Sequence, residues 1–356
     1  MTGLTETVSP DPAAGAHKRP RGAQGPLNYF LARLQRLDVR NMVRIAGKIS
    51  AEYKTPRAFI LADMVANSVV NNAGYYDYHE WDFNLMNWRE RKTFLTRPQA
   101  NQLTLKFNDL AYKNLFSDKT QFNQKFARYI GRQWLDVRES TTEDLRKFVT
   151  RHGSVMLKDP VNLGGYGLEK KDASSIDDYE AFRAHLLETG QVLVEEFVTQ
   201  HPELNRLSPK SVNTLRIITY YDGTTVHVLA HAFKMGNGAD LDNFGQGGIQ
   251  TTVYEGGVCR YGAFNKEGDK WVIHPLTGVD IVGFVVPLYD EAIAMAVELA
   301  TIVPEVPYVG WDIAITPERP IVIEGNYNTG VFQMKPSLSG IKTGLRPLYA
   351  EAMGFK

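Results

Sequence analysis

The stretch Val309-Gly310-Trp311-Asp312-Ile313-Ala314-Ile315-Thr316, the turn Pro317-Glu318-Arg319-Pro320, and the return Ile321-Val322-Ile323-Glu324-Gly325-Asn326 read together as a β-hairpin. Strand periodicity puts Glu324 and Asn326 on one face, away from Ile321 and Ile323. On the first strand Trp311, Ile313 and Ile315 share a face, and Gly310, Asp312 and Ala314 share the other, so Asp312 stands among very small neighbours that leave room for a ligand. Clustered carboxylate and amide oxygens suit Mg²⁺, a hard cation that takes oxygen donors and substrate phosphates. The same pattern also serves a plain solvated face, and register separates the two. With four loop residues, 317–320, Thr316 pairs with Ile321 and Asp312 falls opposite Gly325, turned away from Glu324 and Asn326. A loop of a different length or a bulge brings all three oxygens to one face. The metal reading requires that shift, and it expects the shared face to look toward Lys158 and its glycine loop across an interlobe cleft.

Two segments upstream carry compatible chemistry. Val155-Met156-Leu157-Lys158 reads as a strand, followed by Asp159-Pro160 and the glycine-rich Asn162-Leu163-Gly164-Gly165-Tyr166-Gly167. A lysine at a strand end is a point charge for phosphate, and glycines let backbone N–H groups approach phosphate oxygens. The spacing is neither G-x-x-x-x-G-K-[ST] nor G-x-G-x-x-G. Gln191-Val192-Leu193-Val194-Glu195-Glu196-Phe197-Val198 is an apolar strand that turns acidic before it ends.

Around these the chain of 356 residues divides by composition. Residues 1–25 hold prolines, glycines and alanines without apolar periodicity and are expected to be a disordered tail. Residues 26–110 are expected to be helical and aromatic-rich. Phe30, Leu34, Leu37, Met42, Ile45 and Ile49 recur at helical spacing, Ala58 to Asn72 repeats the period, and the aromatics from Tyr75 to Phe94 are assigned to packing. Residues 111–198 form a smaller α+β lobe, with helices over Asp118 to Gly131, from Thr141 or Thr142 to His152, and from Ile176, capped by Ser174 or Ser175, to Thr189. Residues 199–356 form a strand-rich larger lobe with one strong helix, Leu288 to Ile302. The fold class is α+β. Arg216 stands inside the apolar strand Asn213 to Tyr221 and suits a carboxylate or phosphate contact, or an ion pair with a neighbouring strand. Asn243 to Gly248 reads as a mobile glycine loop over the reacting groups or as a plain surface loop.

The 40 basic and 40 acidic side chains cancel, which removes any global electrostatic reason for a nucleic-acid or membrane-surface partner. The single cysteine, Cys259, cannot form an intrachain disulfide, and no secretory or membrane-spanning apolar run is read, so a cytoplasmic protein is expected. His201, His227, His231 and His274 are scattered and read as ordinary polar partners.

From about Ser117 onward the order of Ser117-Asp118-Lys119, Val155 to Pro160 with its glycine loop, Val194 to Val198, and Gly310-Trp311-Asp312 with Ile323 to Asn326 resembles the ATP-grasp superfamily. Within it, the chain resembles the sugar-transfer-associated or glutamate-ligase-like group. The resemblance implies an ATP-grasp fold, two α+β lobes sandwiching ATP, here with a helical N-terminal region. It also implies ATP and Mg²⁺ as cofactors. Lys119, Lys158, Gly164 and Gly165 would meet phosphates, Glu196 and Val198 the adenine, and Glu203 the ribose, while Asp312, Glu324 and Asn326 would hold metal. Lys158 and Arg216 are the catalytic candidates. The implied reaction joins a small-molecule or peptide carboxylate to an amine or thiol acceptor through an acylphosphate. A small-molecule kinase on the same nucleotide site and a non-catalytic nucleotide-binding partner protein are the alternatives. Asp159, inserted between Lys158 and Pro160, and the helical character of residues 26–110 depart from the commoner pattern of the superfamily.

Overall fold

The computed structural model describes residues 38–162, 168–238 and 244–355. Expectations placed on residues 1–37, on Gly164 and Gly165, and on Asn243 therefore lie outside the described residues. The helix Val39–Tyr53 starts at Asp38, whose side chain accepts from Asn41 N at 3.0 Å, and it buries Ile45, Ala46 and Ile49. It is followed by Arg57–Val70, Tyr75–Glu80, Trp88–Arg91 and Arg97–Phe107. The aromatic run packs as expected, with Tyr78, Trp81, Phe83 and Phe94 fully enclosed, whereas Trp88 faces solvent beneath the Arg91 guanidinium. No helix among the described residues is long and apolar enough to cross a membrane.

The smaller sheet runs in the order β1 (Trp134–Asp136), β4 (Leu193–Glu196), β2 (Ser154–Lys158), β3 (Glu169–Asp172), with antiparallel neighbours. Its helices are Thr142–His152 and Tyr179–Thr189. The first begins with the expected Thr141 cap, closed by Asp144. The second begins at Asp178, not at Ser174 or Ser175: Asp178 accepts from Glu180 N and Ala181 N, and residues 173–175 instead form a short 3₁₀ turn. Val137, Leu145, Val149, Val155, Leu157, Leu186, Val192 and Val194 make this lobe's own core.

The larger sheet runs β10 (Lys270–Trp271), β9 (Ala263–Phe264), β7 (Ile249–Tyr254), β6 (Val226–Met235), β5 (Thr214–Tyr221), β11 (Tyr308–Ile315), β12 (Pro320–Asn326), with β8 (Val258–Cys259) paired to β7. One face, carrying Leu215, Ile217, Phe233, Trp311, Ile313 and Val322, packs on the helix Tyr289–Ala300. The helices Lys113–Ser117 and Lys119–Lys125 join that core through Phe116, Phe122 and Phe126, which touch one another and Trp311. Residues 111–130, expected in the small lobe, thus pack with the large sheet.

The opposite face of the large sheet is split. Ile218, Tyr220, Ala230, Phe264 and Tyr308 are covered by the N-terminal helices and by Tyr349 and Met353 of the C-terminal helix Arg346–Met353, a helix that sequence periodicity did not suggest. Buried Lys335 pins this cover, donating to His79 O, Glu80 O and Asp82 Oδ1. Farther along the same face stand Arg216, Lys234, Asp312, Glu324 and Asn326. Alternation along β5 and β11 puts a covered apolar half and a polar half on one surface.

Candidate active site

The hairpin reaches its shifted register through a bulge. Ile315 pairs with Pro320, Ala314 with Ile321 and Ile313 with Val322; beyond an irregularity Asp312 pairs with Glu324, Trp311 with Gly325 and Gly310 with Asn326. Without it the sequence would set Asp312 beside Ile323. Ile323 is the extra residue, and passing it brings Glu324 onto the face of Asp312. The cause lies far away in sequence. Arg132 Nη1 donates to Val322 O at 2.9 Å and Nη2 to Ile323 O at 3.3 Å, while Val322 N donates to Tyr129 O at 3.0 Å. Gly131 is needed beside them: its φ is +58°, and a Cβ there would stand 2.2 Å from Ile321 Cγ2.

Asp312 is enclosed and gripped by two cations. Arg216, directly opposite on β5, donates Nε to Oδ1 at 2.6 Å and Nη2 to Oδ2 at 2.7 Å, and Lys234 Nζ lies 3.2 Å from Oδ2. Although burial alone would raise it, the Arg216 and Lys234 charges hold the Asp312 carboxyl well below the usual range. Of the two readings of Arg216, the ion pair with a neighbouring strand is the one the geometry shows; its Nη1 donates to Thr329 O at 3.0 Å and its guanidinium lies over Phe332. Lys234 was missed by sequence reasoning. Its signal was the same as that of Arg216, a cation in an otherwise apolar strand.

Glu324 is in a different state. Burial, and then the Asp312 charge beside it, push its carboxyl above the usual value. Asn326 completes the group, with Nδ2 3.3 Å from Glu324 Oε1, 3.5 Å from Asp312 Oδ2 and 3.2 Å from Gly310 O. Among the described residues no group of three or more His, Cys, Asp and Glu side chains is placed to hold a metal; this set is two carboxylates and an amide. Its donor set fits a divalent cation nonetheless: the side chains of two carboxylates and an amide stand on one face, and hard oxygen donors are what Mg²⁺ takes.

Across from this face stands a second network. Lys158 Nζ pairs with Glu195 Oε2 at 2.5 Å, and Glu195 Oε1 accepts from Arg132 Nη2 at 2.9 Å and Asn123 Nδ2 at 2.7 Å. The same Arg132 holds the bulge, so Lys158 is tied to the metal-candidate strand through two side chains. Arg132 and Lys158 keep Glu195 ionised far below the usual range in spite of its burial. Lys119 Nζ donates to Asp159 O at 3.2 Å and Asn162 O at 2.5 Å, at the foot of the glycine-rich segment. Burial lowers its pKa, and Glu324 pulls the other way, so the lysine senses the large sheet's carboxylate. Lys119, Lys158 and the Asp312 group therefore gather at one junction of the lobes.

The remaining sequence candidates are placed otherwise. Glu196 Oε2 accepts from Gln133 N at 2.9 Å, so its carboxylate is engaged by backbone, and it is Glu195, one residue earlier, that faces the lysine. Val198 lies half-buried in the connection after β4. Glu203 is exposed on the helix Pro202–Leu207 and paired with Arg206 at 2.6 Å. The histidines serve ordinary partners: His201 caps that helix, His227 pairs with Asp222, His231 meets Tyr289 and His274 meets Gly236 O.

Comparisons with known proteins bear on this geometry. The family model described as sugar-transfer associated ATP-grasp matches residues 175–345, a span that holds the whole Asp312 group. No curated protein matches the sequence. Solved structures that align include the ATP-grasp ligase PsnB complexed with minimal precursor (16% identity, 77% of this chain and 73% of that one, TM-score 0.40). Others are D-alanyl-alanine synthetase A from Vibrio cholerae O1 biovar eltor str. N16961 (14%, 65% and 60%, 0.38) and the D-cycloserine synthetase DcsG (12%, 80% and 82%, 0.39).

Proposed function

We propose that the chain is an ATP-grasp protein of the sugar-transfer-associated type, and that it is an ATP- and Mg²⁺-dependent ligase joining a carboxylate to an amine or thiol. The observation that carries the reading is the bulge that turns Glu324 onto the face of Asp312 and Asn326, opposite Lys158 and Lys119. Asp312, Glu324 and Asn326 would hold Mg²⁺, which when bound supplies positive charge to the phosphate oxygens. Lys158 and Lys119 would meet phosphates from the small-lobe side, with Gly164 and Gly165 offering backbone N–H groups. Val198 and Glu196 would border the adenine through the chain after β4, and Glu203 would meet the ribose. Arg216 and Lys234 fix the orientation of Asp312.

In the reaction a carboxylate oxygen of the substrate attacks the γ-phosphorus, the bond to the bridging oxygen breaks, and ADP leaves. The acceptor's nitrogen or sulfur then attacks the acyl carbon; phosphate departs and the acceptor loses a proton. The protein's share is positioning and charge neutralisation, which is why no Ser/His/Asp or Cys/His nucleophile is required. Cys259 is buried and its thiol is pushed up to about 12 by burial, which suits a packing role.

The test is incubation with ATP, Mg²⁺ and pooled carboxylates in hydroxylamine. ADP release with a hydroxamate supports the ligase. ADP release with a phosphorylated hydroxyl compound and no hydroxamate makes it a kinase, and absence of turnover with intact ATP binding makes it a nucleotide-binding partner protein.

A further inference from the structure

The polar half of the large sheet does not stop at Lys234. Directly opposite Lys234 on β7 is Gln250, and opposite Gln250 on β9 is Phe264. Partners across neighbouring strands share a face, with Cβ atoms about 4.5–5.5 Å apart, so Gln250 stands beside Lys234 on the face that carries Asp312. Lys234 itself is engaged, its Nζ lying 3.2 Å from Asp312 Oδ2. Phe264 belongs to the covered apolar half, where it meets Trp81 edge-on at 6.3 Å. Gln250 therefore marks the seam between the two halves.

Its side chain is out of keeping with its strand. Ile249 joins the apolar core on the far face, and Thr251, also turned that way, donates to Tyr261 O at 3.0 Å. Gln250 is only 3% exposed, yet its Oε1 has no hydrogen-bond partner among the described residues. A buried oxygen left without a donor costs the folded chain stability, and an apolar side chain of the same length would fill the position without that cost. Aromatic rings edge the polar face near it: Phe244, in the short turn Phe244–Gln246, meets Phe264 edge-on at 5.7 Å, and Phe332 lies over Arg216 at 5.0 Å.

An amide oxygen accepts and cannot donate, so the group it lacks is an N–H or an O–H. An amine keeps an N–H to offer while its lone pair is directed elsewhere. A thiol has one weak S–H donor and none once it is a thiolate. A site with a buried acceptor rejects the analogue that cannot donate to it, because the oxygen is then stranded in the complex.

We propose that Gln250 Oε1 receives an N–H of the acceptor, so that the acceptor subsite lies on the β6–β7 side of the Asp312 group and selects an amine over a thiol. The proposal rests on the ligase reading. The glutamine takes no proton. With one N–H held, the nitrogen lone pair forms the bond to the acyl carbon, the bond from that carbon to the phosphate oxygen breaks, and the surplus proton on nitrogen passes to the departing phosphate.

The test gives the full-length protein ATP, Mg²⁺, pooled carboxylates and either ethanolamine or 2-mercaptoethanol, a pair that differs only in nitrogen for sulfur, in wild type and in Gln250→Met. Wild type should form the amide in preference to the thioester. In Gln250→Met the KM for ethanolamine should rise about tenfold, the upper end for one neutral hydrogen bond, while kcat stays within about twofold. Urea denaturation adds a readout that needs no turnover. Methionine has the same length and no oxygen to strand, so the midpoint should hold or rise. A lower midpoint makes Gln250 a structural residue, and an unchanged KM or a thioester formed as readily as the amide places the acceptor elsewhere; each overturns the proposal. No hydroxamate from the wild type in hydroxylamine would instead sink the ligase reading, and this proposal with it.

Discussion

Glu195 and Asp312 are both enclosed carboxylates with two cations each, yet they do opposite things for their surroundings. Glu195 meets Lys158 through one oxygen and Arg132 and Asn123 through the other, so both its oxygens are closed off by donors. Asp312 takes the direct bonds of Arg216 and Lys234, while Glu324, 3.3 Å from Asn326 on the same face, is pushed above its usual value by burial and by the Asp312 charge even though Lys234 and Arg216 pull it the other way. A closed charge set holds structure together, whereas an acid left over beside a satisfied one is a place for a cation from outside.

The largest effect is expected at the closed set. Glu195→Ala strands Arg132, whose side chain is only 3% exposed, and removing one partner of a buried pair costs about 3–5 kcal/mol. Urea denaturation should show a loss of that size, and a loss below about 1 kcal/mol, the scale of an exposed pair, would mean that the network is no more than a surface feature. The next effect belongs to the open set. Glu324→Gln should lower ADP release by about 100- to 1,000-fold, the scale of removing one preorganised electrostatic contact, and abolish its dependence on Mg²⁺ concentration. Denaturation at neutral pH should show stability held or raised, since the like charge beside Asp312 is gone. A variant that keeps its Mg²⁺ dependence breaks the contrast. Smaller again is Lys158→Ala. Affinity for ATP should fall about 10- to 100-fold, the worth of one charge-assisted bond, while the protein stays folded because Arg132 still balances Glu195. Unchanged affinity in a titration would remove Lys158 from the nucleotide site.

What was legible in the sequence was what local pattern controls. Alternation located β11 and β12, the helical spacing of Met42, Ile45 and Ile49 and the period over Ala58 to Asn72 fall on the helices Val39–Tyr53 and Arg57–Val70, and Thr141 with Asp144 announced its helix. Glu169–Asp172 was not legible as a strand, because an edge strand of charged residues has no apolar face to show. The bulge at Ile323 was foreseen only as a requirement: what imposes it is Arg132, about 190 positions away in the chain. Glu195 was passed over for Glu196 for the same reason. Two adjacent acids look alike in sequence, and only the pairing of β4 with β2, Met156 opposite Glu195, says which one faces Lys158.

The last and smallest effect is the pH dependence of stability, where the two carboxylates must have opposite signs. Glu195 has a folded pKa held below its unfolded value, so the native state binds its proton less readily than the unfolded chain. Its stabilisation is fully present above the unfolded carboxylate range, about 4.3, and is lost as pH falls through the window beneath it. Glu324 has a folded pKa above its unfolded value, so the native state holds the proton more tightly. Its favourable contribution is present in acid and is lost as pH rises from about 4.3 through the folded value. Wild-type stability minus that of Glu195→Gln should therefore shrink as pH is lowered toward 3, while wild-type stability minus that of Glu324→Gln should shrink as pH is raised toward 8. Saturating Mg²⁺ should erase the second slope and leave the first, because a cation bound between Asp312 and Glu324 replaces the proton there and touches nothing at Glu195. Parallel slopes in the two variants would show that both acids belong to structural ion networks, and that the open set is not a metal site.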